Sequence, residues 1–324
     1  MPPVTTGSAA KAAKVRSIAD GILDLPSLPL VVAKIVELVD NPKTNAATLS
    51  SLIATDPGLT ARMLKLANSA FYGFPRRIGT INLAIVVLGF NTVKDLGVSS
   101  SLVDRFNFNS ESTDFDMPGF WEHSIGTAIA ARMISRVGNY RVVGEAFVTG
   151  LLHDIGRLII VRYLPKEFKQ IGQVEREKNL LLWEAEAEVL GLTHAEIGGL
   201  LTQRWNLPDQ IVSAIRHHHQ PLAEEQLSLL TATTYFADFL TRRLHPHYAQ
   251  EGKAWSVAEP VANLLQLRRT AQGEVDIDHY LELFRLEFER AETFRNIIKG
   301  SDTAPEEYYG WGSKNRPHHD SDQI

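Results

Sequence analysis

The chain has 324 residues, of which 44% are hydrophobic and 22% charged, and this ordinary composition excludes a disordered chain, a collagen and a coiled-coil rod. The net charge of −5 is uneven, because residues 1–110 carry 11 Lys and Arg against 7 Asp and Glu, whereas residues 111–324 carry 22 against 31. No cysteine is present, so disulfides and thiol nucleophiles are excluded, and any metal site must use carboxylates and the 11 histidines.

The first half of the chain has the pattern of short helices joined by short loops. Leu59, Met63 and Leu66 recur at the spacing of a buried helix face. Asp56 followed by Pro57 is typical of an N-cap and the first position of a helix. The helices predicted here cover about 30–40, 46–54, 57–67 and 81–88, and a further helix follows Asn91.

A polar stretch rich in helix breakers separates the two halves, and helical patterning resumes at Phe120. One helix is predicted from about Gly144 through Ile159, and Thr193 with Glu196 forms a capping box for another. No alternation typical of a β-strand occurs, so the predicted fold class is all-α, a multi-helix bundle. Further helices are predicted from Pro208 to the histidines near 218 and over about 278–299.

The predicted organisation has two helical subdomains. No apolar run approaches the roughly 18 residues of a membrane span, and the first 14 residues lack the apolar core of a secretory signal, so a cytoplasmic protein is expected. The predicted segments are a disordered N-terminus at 1–17, an N-terminal subdomain at 18–106, a linker at 107–119, a second subdomain with its C-terminal helix at 120–300, and a disordered tail at 301–324.

Seven histidines and aspartates in the second half are candidates for a metal site, and we expect them at or near helix ends. Taken singly, such a histidine is more typical of a hydrogen-bonding or capping residue. Imidazole and carboxylate ligands together suit Fe, Mn, Zn or Co, and seven of them exceed one tetrahedral site but fit two octahedral ions bridged by Asp154. The candidates are His123, His153, Asp154, His194, His218, His219 and Asp238.

The ordered motifs around these residues resemble the HD superfamily, and more narrowly the HDOD (HD-related output) domain of bacterial signalling proteins. The resemblance extends over about residues 18–240 and includes the N-terminal half. The matching segments are 25–29 (LPSLP), 56–60 (DPGLT), 66–73 (LANSAFYG), 84–89 (AIVVLG), 121–124 (WEHS), 150–156 (GLLHDIG), 193–198 (THAEIG), 205–208 (WNLP), 215–221 (IRHHHQP) and 237–238 (AD).

This resemblance implies an N-terminal HDOD-specific subdomain packed on a subdomain similar to the HD phosphohydrolases. Many HDOD domains lack the HD metal ligands, whereas all seven candidate positions match them in this sequence. The pair His218-His219 is preferred to His217-His218, because the family pattern places the double histidine directly before a turn at Gln220-Pro221. The implied cofactor is a divalent metal, expected as two ions, with Fe first and Mn or Zn as alternatives.

Two functions remain open at this point. The first is a regulatory module that acts on a signalling protein partner or a small phosphorylated ligand. The second is a metal-dependent phosphohydrolase in which Asp154 and Arg157 are catalytic, with Arg157 contacting phosphate. Arg157 replaces the lysine of the HD-GYP phosphodiesterases, and no Gly-Tyr-Pro loop follows the double histidine, so cyclic diguanylate is a poor candidate substrate. A homodimer is compatible with both functions, whereas membrane and nucleic-acid partners are not expected.

Overall fold

The structure is a computed structural model that describes residues 30–68, 76–90, 92–95, 97–98, 106, 115–140, 143–244, 256–292 and 295. These ranges contain fourteen α-helices with both ends described and one short 3-10 helix at Pro221–Ala223. Within them no β-strand forms, and the single β-bridge joins Arg269 to Val275. The predicted all-α class is therefore confirmed. None of the described helices is long and apolar enough to cross a membrane.

Four helices of the first half match the predicted bounds to within one residue. Asn45 and Asp56 are N-caps, and the carboxylate or amide oxygen of each accepts a backbone N–H three residues ahead at 2.9 Å. Thr80 caps the fourth helix through its hydroxyl at 3.1 Å. The four helices are α1 (Leu30–Asp40), α2 (Ala46–Ile53), α3 (Pro57–Ala67) and α4 (Ile81–Leu88).

Several predictions for this half lie outside the described residues. They concern the segments 1–17, 25–29, 71–73 and 301–324, the cap at Asn91, and most of the linker. Inside the described part, Asn68 links the end of α3 to a later segment. Its side-chain amide donates to the carbonyl of Ile78 at 2.8 Å, and its amide oxygen accepts the N–H of Ile78 at 2.8 Å.

In the second half, two predicted helix boundaries differ from the structure, and the helices at Pro165–Lys178, Leu182–Val189, Leu229–Leu244 and Glu259–Leu264 were not predicted. The first helix begins at Met117, inside the predicted linker, because the carboxylate of Asp116 caps it. The single helix predicted from Gly144 is two helices, interrupted at His153 and Asp154, where His153 Nδ1 bonds to the carbonyl of Gly150 at 2.8 Å. The helices are α5 (Met117–Val137), α6 (Val143–Leu152), α7 (Ile155–Tyr163), α8 (Pro165–Lys178), α9 (Leu182–Val189), α10 (His194–Arg204), α11 (Asp209–His217), α12 (Leu229–Leu244), α13 (Glu259–Leu264) and α14 (Ile277–Arg290).

Helix α5 is the central element of the second half, and it packs against α6, α12 and α14. Phe284 and Phe288 of α14 are buried as the predicted apolar stripe requires, and the part of that prediction beyond residue 295 lies outside the described residues. One continuous apolar core includes residues of both halves. In it, the rings of Phe106 and Trp205 lie 5.9 Å apart.

Two glycines allow the helices around the candidate site to approach closely. A Cβ atom on Gly150 of α6 would lie 2.8 Å from the backbone of Ala128 in α5. A Cβ atom on Gly156 of α7 would lie 2.0 Å from the carbonyl oxygen of His194 in α10. Only glycine fits such backbone contacts. The segment between these glycines carries His153 and Asp154, so the close packing determines where both side chains lie.

Candidate metal centre

The structure brings all seven predicted site residues together in one buried cluster of the second half. They form two groups, in each of which the ligand atoms lie within 4.8 Å of one another. Among the described residues, no other set of three or more histidines and carboxylates meets this geometry. The four-residue group consists of Asp154, His194, His218 and His219, and the three-residue group consists of His123, His153 and Asp238.

The seven side chains come from five parts of the chain. His153 and Asp154 lie at the break between α6 and α7, and His194 is the first residue of α10. His218 and His219 directly follow α11. His123 and Asp238, by contrast, lie in the interior of α5 and α12, so the expectation that all seven sit at or near helix ends is wrong for these two. Both long helices are buried around these positions, which explains how an interior residue reaches the cluster.

The three-residue group is assembled around Asp238. Its Oδ1 lies 3.0 Å from His123 Nε2 and 3.6 Å from His153 Nε2. The two imidazoles face each other with their Nε2 atoms 3.1 Å apart. The second oxygen of the carboxylate, Asp238 Oδ2, is buried and makes no hydrogen bond of standard geometry.

Asp154 lies between the two groups. Its Oδ1 is 3.0 Å from His194 Nε2 and 3.5 Å from His218 Nε2 in the four-residue group. The same oxygen is 3.5 Å from His153 Nε2, and Oδ2 is 3.8 Å from His123 Nε2, in the three-residue group. This is the position that a bridging carboxylate would occupy.

Three of the histidines are held through their Nδ1 atoms. His153 Nδ1 bonds to the carbonyl of Gly150 at 2.8 Å, and His218 Nδ1 bonds to the carbonyl of Ile215 at 2.7 Å. A carbonyl accepts only, so each of these Nδ1 atoms carries the proton, and in the neutral ring Nε2 presents a lone pair to the cluster. Metal-binding histidines in proteins are oriented in the same way by their other ring nitrogen.

The third of these histidines is held by a buried carboxylate, which the sequence analysis missed. Glu186 Oε2 accepts a hydrogen bond from His194 Nδ1 at 2.6 Å and another from the backbone N–H of His194 at 2.8 Å. Glu186 is 2% exposed. It comes from α9, eight residues before His194, and no local spacing rule connects the two positions.

A second missed residue is Arg242, whose Nε donates to Asp238 Oδ1 at 2.8 Å. Here a signal exists in the sequence, because residues four apart on a helix share a face and an aspartate followed at i+4 by an arginine is typical of such a pair. Arg157 makes the corresponding contact to the other carboxylate, with Nη1 3.2 Å from Asp154 Oδ2. Its side chain is 26% exposed.

Burial and neighbouring charges lower the pKa of three of the histidines and raise that of a fourth. Burial lowers the pKa of His123 to about 4, against a smaller opposite effect of Asp238. Burial also lowers the pKa of His218, and it lowers that of His219 together with the neighbouring histidines. For His194 the burial effect is outweighed by the carboxylates of Glu186 and Asp154, which raise its pKa to about 9.

Both aspartates are ionised at neutral pH. Burial alone would raise the pKa of each carboxyl, but the surrounding groups outweigh it. His153 and His194 hold the pKa of Asp154 well below its usual range. Arg242 and His123 do the same for Asp238. The cluster therefore combines two carboxylates with imidazoles that are mostly neutral, which is the protonation state that metal ligands require.

The donor set fits divalent metal ions. Metal–nitrogen bonds of about 2.1 Å at right angles place two ligand nitrogens about 3 Å apart. The Nε2 atoms of His123 and His153 are 3.1 Å apart, and those of His194 and His219 are 2.9 Å apart. In addition, the buried His218 Nε2 makes no hydrogen bond of standard geometry. These buried His and Asp groups thus indicate a divalent metal.

His217, the neighbour of the double histidine, does not take part. Its Nδ1 bonds to the carbonyl of Ser213 at 3.0 Å, within its own helix. The double histidine that faces the cluster is therefore His218-His219, as the family pattern suggested. His219 is flanked on one side by Trp183, whose indole is nearly parallel to the imidazole at a centroid distance of 6.3 Å.

Comparison with known proteins identifies the family of the chain. The family model of the HDOD domain matches residues 25–221, more than half of the chain. A curated protein of Treponema pallidum (strain Nichols), described only as an uncharacterized protein, is 30% identical over 262 residues. The match covers 79% of this chain and 50% of that protein, so the chain spans about half the length of this relative.

Two solved structures share the architecture over most of their length. An HDOD domain protein with unknown function from Geobacter sulfurreducens is 26% identical with a TM-score of 0.71, covering 91% of this chain and 98% of that one. A protein from Shewanella amazonensis SB2B, which carries phosphohydrolase as a provisional name, is 26% identical with a TM-score of 0.67, covering 88% and 97%.

Proposed function

Because the chain belongs to the HDOD domain family, we propose that it is a regulatory protein of bacterial signalling that holds two divalent metal ions in the His/Asp cluster. It acts by binding a signalling protein partner or a small phosphorylated ligand. The observation that carries this proposal is the buried cluster of seven donor residues.

Closure of the cluster favours regulation over turnover. No side chain of the seven is more than 5% exposed. Water and substrate must reach a catalytic metal site, whereas a structural or regulatory ion can be enclosed by protein. Ions bound here would connect five separate parts of the chain, so their presence would change how rigidly those helices are held together.

In this proposal each group would hold one ion, and Asp154, which lies within reach of both groups, would be a ligand shared by the two. Fe is the first candidate, with Mn and Zn as alternatives, because imidazole and carboxylate ligands suit all three. Glu186 and the carbonyls of Gly150 and Ile215 orient the imidazoles. When bound, a pair of such ions supplies positive charge that can attract a phosphate group.

Elemental analysis of the purified full chain tests this function. We expect about two equivalents of Fe, Mn or Zn in the wild type and a clear loss in Asp154→Ala, which removes the carboxylate shared by both groups. His217→Ala is the matched control, because it removes an adjacent histidine that points away from the cluster, and it should retain the wild-type metal content. Equal metal in wild type and Asp154→Ala would refute the proposed centre.

A second candidate function is a metal-dependent phosphohydrolase. The observation that favours it is Arg157, a partly exposed guanidinium 3.2 Å from Asp154, where it could contact a phosphate oxygen. The provisional name of the similar Shewanella amazonensis protein points the same way.

A substrate panel separates the two functions. The metal-loaded chain would be incubated in Mn²⁺ or Fe²⁺ with bis-p-nitrophenyl phosphate, p-nitrophenyl phosphate and a set of nucleotides. The regulatory function predicts no turnover. Turnover that is lost in both Asp154→Ala and Arg157→Ala would instead establish the phosphohydrolase.

A further inference from the structure

The two groups of ligands have opposite electrostatic surroundings. The four-residue group is backed by a carboxylate, because Glu186 bonds to His194 Nδ1 at 2.6 Å. The three-residue group is flanked by two guanidinium groups. Arg242 bonds to Asp238 Oδ1 at 2.8 Å, and Arg157 contacts Asp154 Oδ2 at 3.2 Å.

The guanidinium contacts involve the carboxylate oxygens that face the three-residue group. Asp238 Oδ1 is the oxygen 3.0 Å from His123 Nε2, and Asp154 Oδ2 is the one 3.8 Å from the same nitrogen. An arginine bonded to such an oxygen withdraws part of its charge and repels a nearby cation. Ion binding at the three-residue group is therefore opposed by two fixed positive charges.

The carboxylate contact has the reverse effect on the four-residue group. A carboxylate that accepts the Nδ1–H of a ligand histidine makes its Nε2 a stronger donor and fixes the ring orientation. Glu186 also accepts the backbone N–H of the same residue, so His194 is held at two points.

We infer that the centre is unequal: the four-residue group binds one divalent ion tightly, and the three-residue group binds a second ion weakly and exchangeably. This rests on the proposed two-ion centre. The tightly held ion serves the fold, and the exchangeable ion makes the state of the protein depend on the surrounding concentration of divalent metal. Glu186 is a positioning residue for the tight ion, and Arg157 and Arg242 weaken the second.

Mn²⁺ titration of the chelator-stripped full chain tests this inference, with the EPR signal of free Mn²⁺ reporting how much remains unbound. We expect two classes of one ion each, with dissociation constants at least about tenfold apart. Glu186→Gln should weaken the tight class by about 10- to 100-fold, and Glu186→Asp should restore part of it. His217→Ala should match the wild type.

Replacing an arginine should have the opposite effect, a gain in Mn²⁺ affinity. Arg157→Gln, at a partly exposed position, should strengthen the weak class, and Arg242→Gln should do so as well, whereas Arg242→Lys keeps the charge and should not. If Arg242→Gln shows no cooperative unfolding transition, the Mn²⁺ affinities of Arg157→Gln and Glu186→Gln decide whether the inference holds.

Two equal classes in the wild type would overturn the inference while leaving the two-ion centre intact. Unchanged affinities in both Glu186→Gln and Arg157→Gln would overturn it as well. Absence of Mn²⁺, Fe²⁺ and Zn²⁺ binding would instead overturn the proposed function itself.

Discussion

Gly156→Ala tests how closely α7 and α10 must approach for the cluster to form. The added Cβ would lie 2.0 Å from the carbonyl oxygen of His194 and 2.9 Å from the N–H nitrogen of Gly198, both backbone atoms. Real Cβ atoms essentially never come within 3.0 Å of another heavy atom, so the two helices would have to separate by about 1 Å. The same movement would stretch the 3.0 Å contact between Asp154 and His194.

The energetic cost has two parts. Overpacking of a rigid contact costs about 1–3 kcal/mol, and a backbone clash of this size belongs at the upper end. Alanine gains up to about 1 kcal/mol over glycine in a helix, which offsets part of the loss. We therefore expect the free energy of unfolding to fall by about 2 kcal/mol, together with a loss of bound metal.

Urea unfolding followed by circular dichroism, on chelator-treated protein, measures the first effect, and elemental analysis measures the second. Gly172→Ala is the matched control, because the nearest atom to its Cβ is the flexible guanidinium of Arg176 at 3.4 Å. This control should be neutral or stabilised by up to about 1 kcal/mol. A Gly156→Ala protein with the wild-type urea midpoint and full metal content would refute the reasoning.

Three further predictions concern pH and local structure. Because the pKa of His194 is about 9, a metal ion must displace its proton at neutral pH. The Mn²⁺ affinity of the four-residue group should therefore fall about tenfold for each pH unit below 9. Equal affinities in titrations at pH 6, 7 and 8 would contradict this. Thr193→Ala should destabilise the chain by about 1 kcal/mol in urea, because it removes the N-cap of α10, and Thr193→Ser should not. Asn68→Ala should cost about 2 kcal/mol in the same assay, because it removes both hydrogen bonds to Ile78; an unchanged midpoint would show that these bonds contribute nothing net.

Local features were predicted well because they depend on neighbouring residues. The caps at Asn45 and Asp56 and the capping box of Thr193 and Glu196 are all present. Each needs only a side-chain oxygen and a backbone N–H two or three residues away. The break between α6 and α7 was missed, because the apolar periodicity continues through it and the interruption depends on where His153 and Asp154 must point.

The site was partly predictable for a different reason. The resemblance to a known family identified His123, His153, Asp154, His194, His218, His219 and Asp238, and the structure places all seven in one cluster. It did not reveal Glu186, whose carboxylate reaches His194 only because α9 and α10 pack together. The contact between Arg242 and Asp238 could have been predicted from their spacing, since Arg242 lies one helical turn after Asp238.

The sequence by itself determined the all-helical class, the capped helix boundaries and the chemical types available for a metal site, since these depend on composition and on contacts within a few residues. Only the tertiary structure decided that Asp154 lies within reach of both groups, and that Glu186 supports a histidine of one group while Arg242 and Arg157 contact carboxylate oxygens beside His123 of the other. The two arginine contacts lie within one helical turn, but the meeting of five parts of the chain in one cluster depends on how the helices pack, and the close approach permitted by Gly156 contributes to that packing.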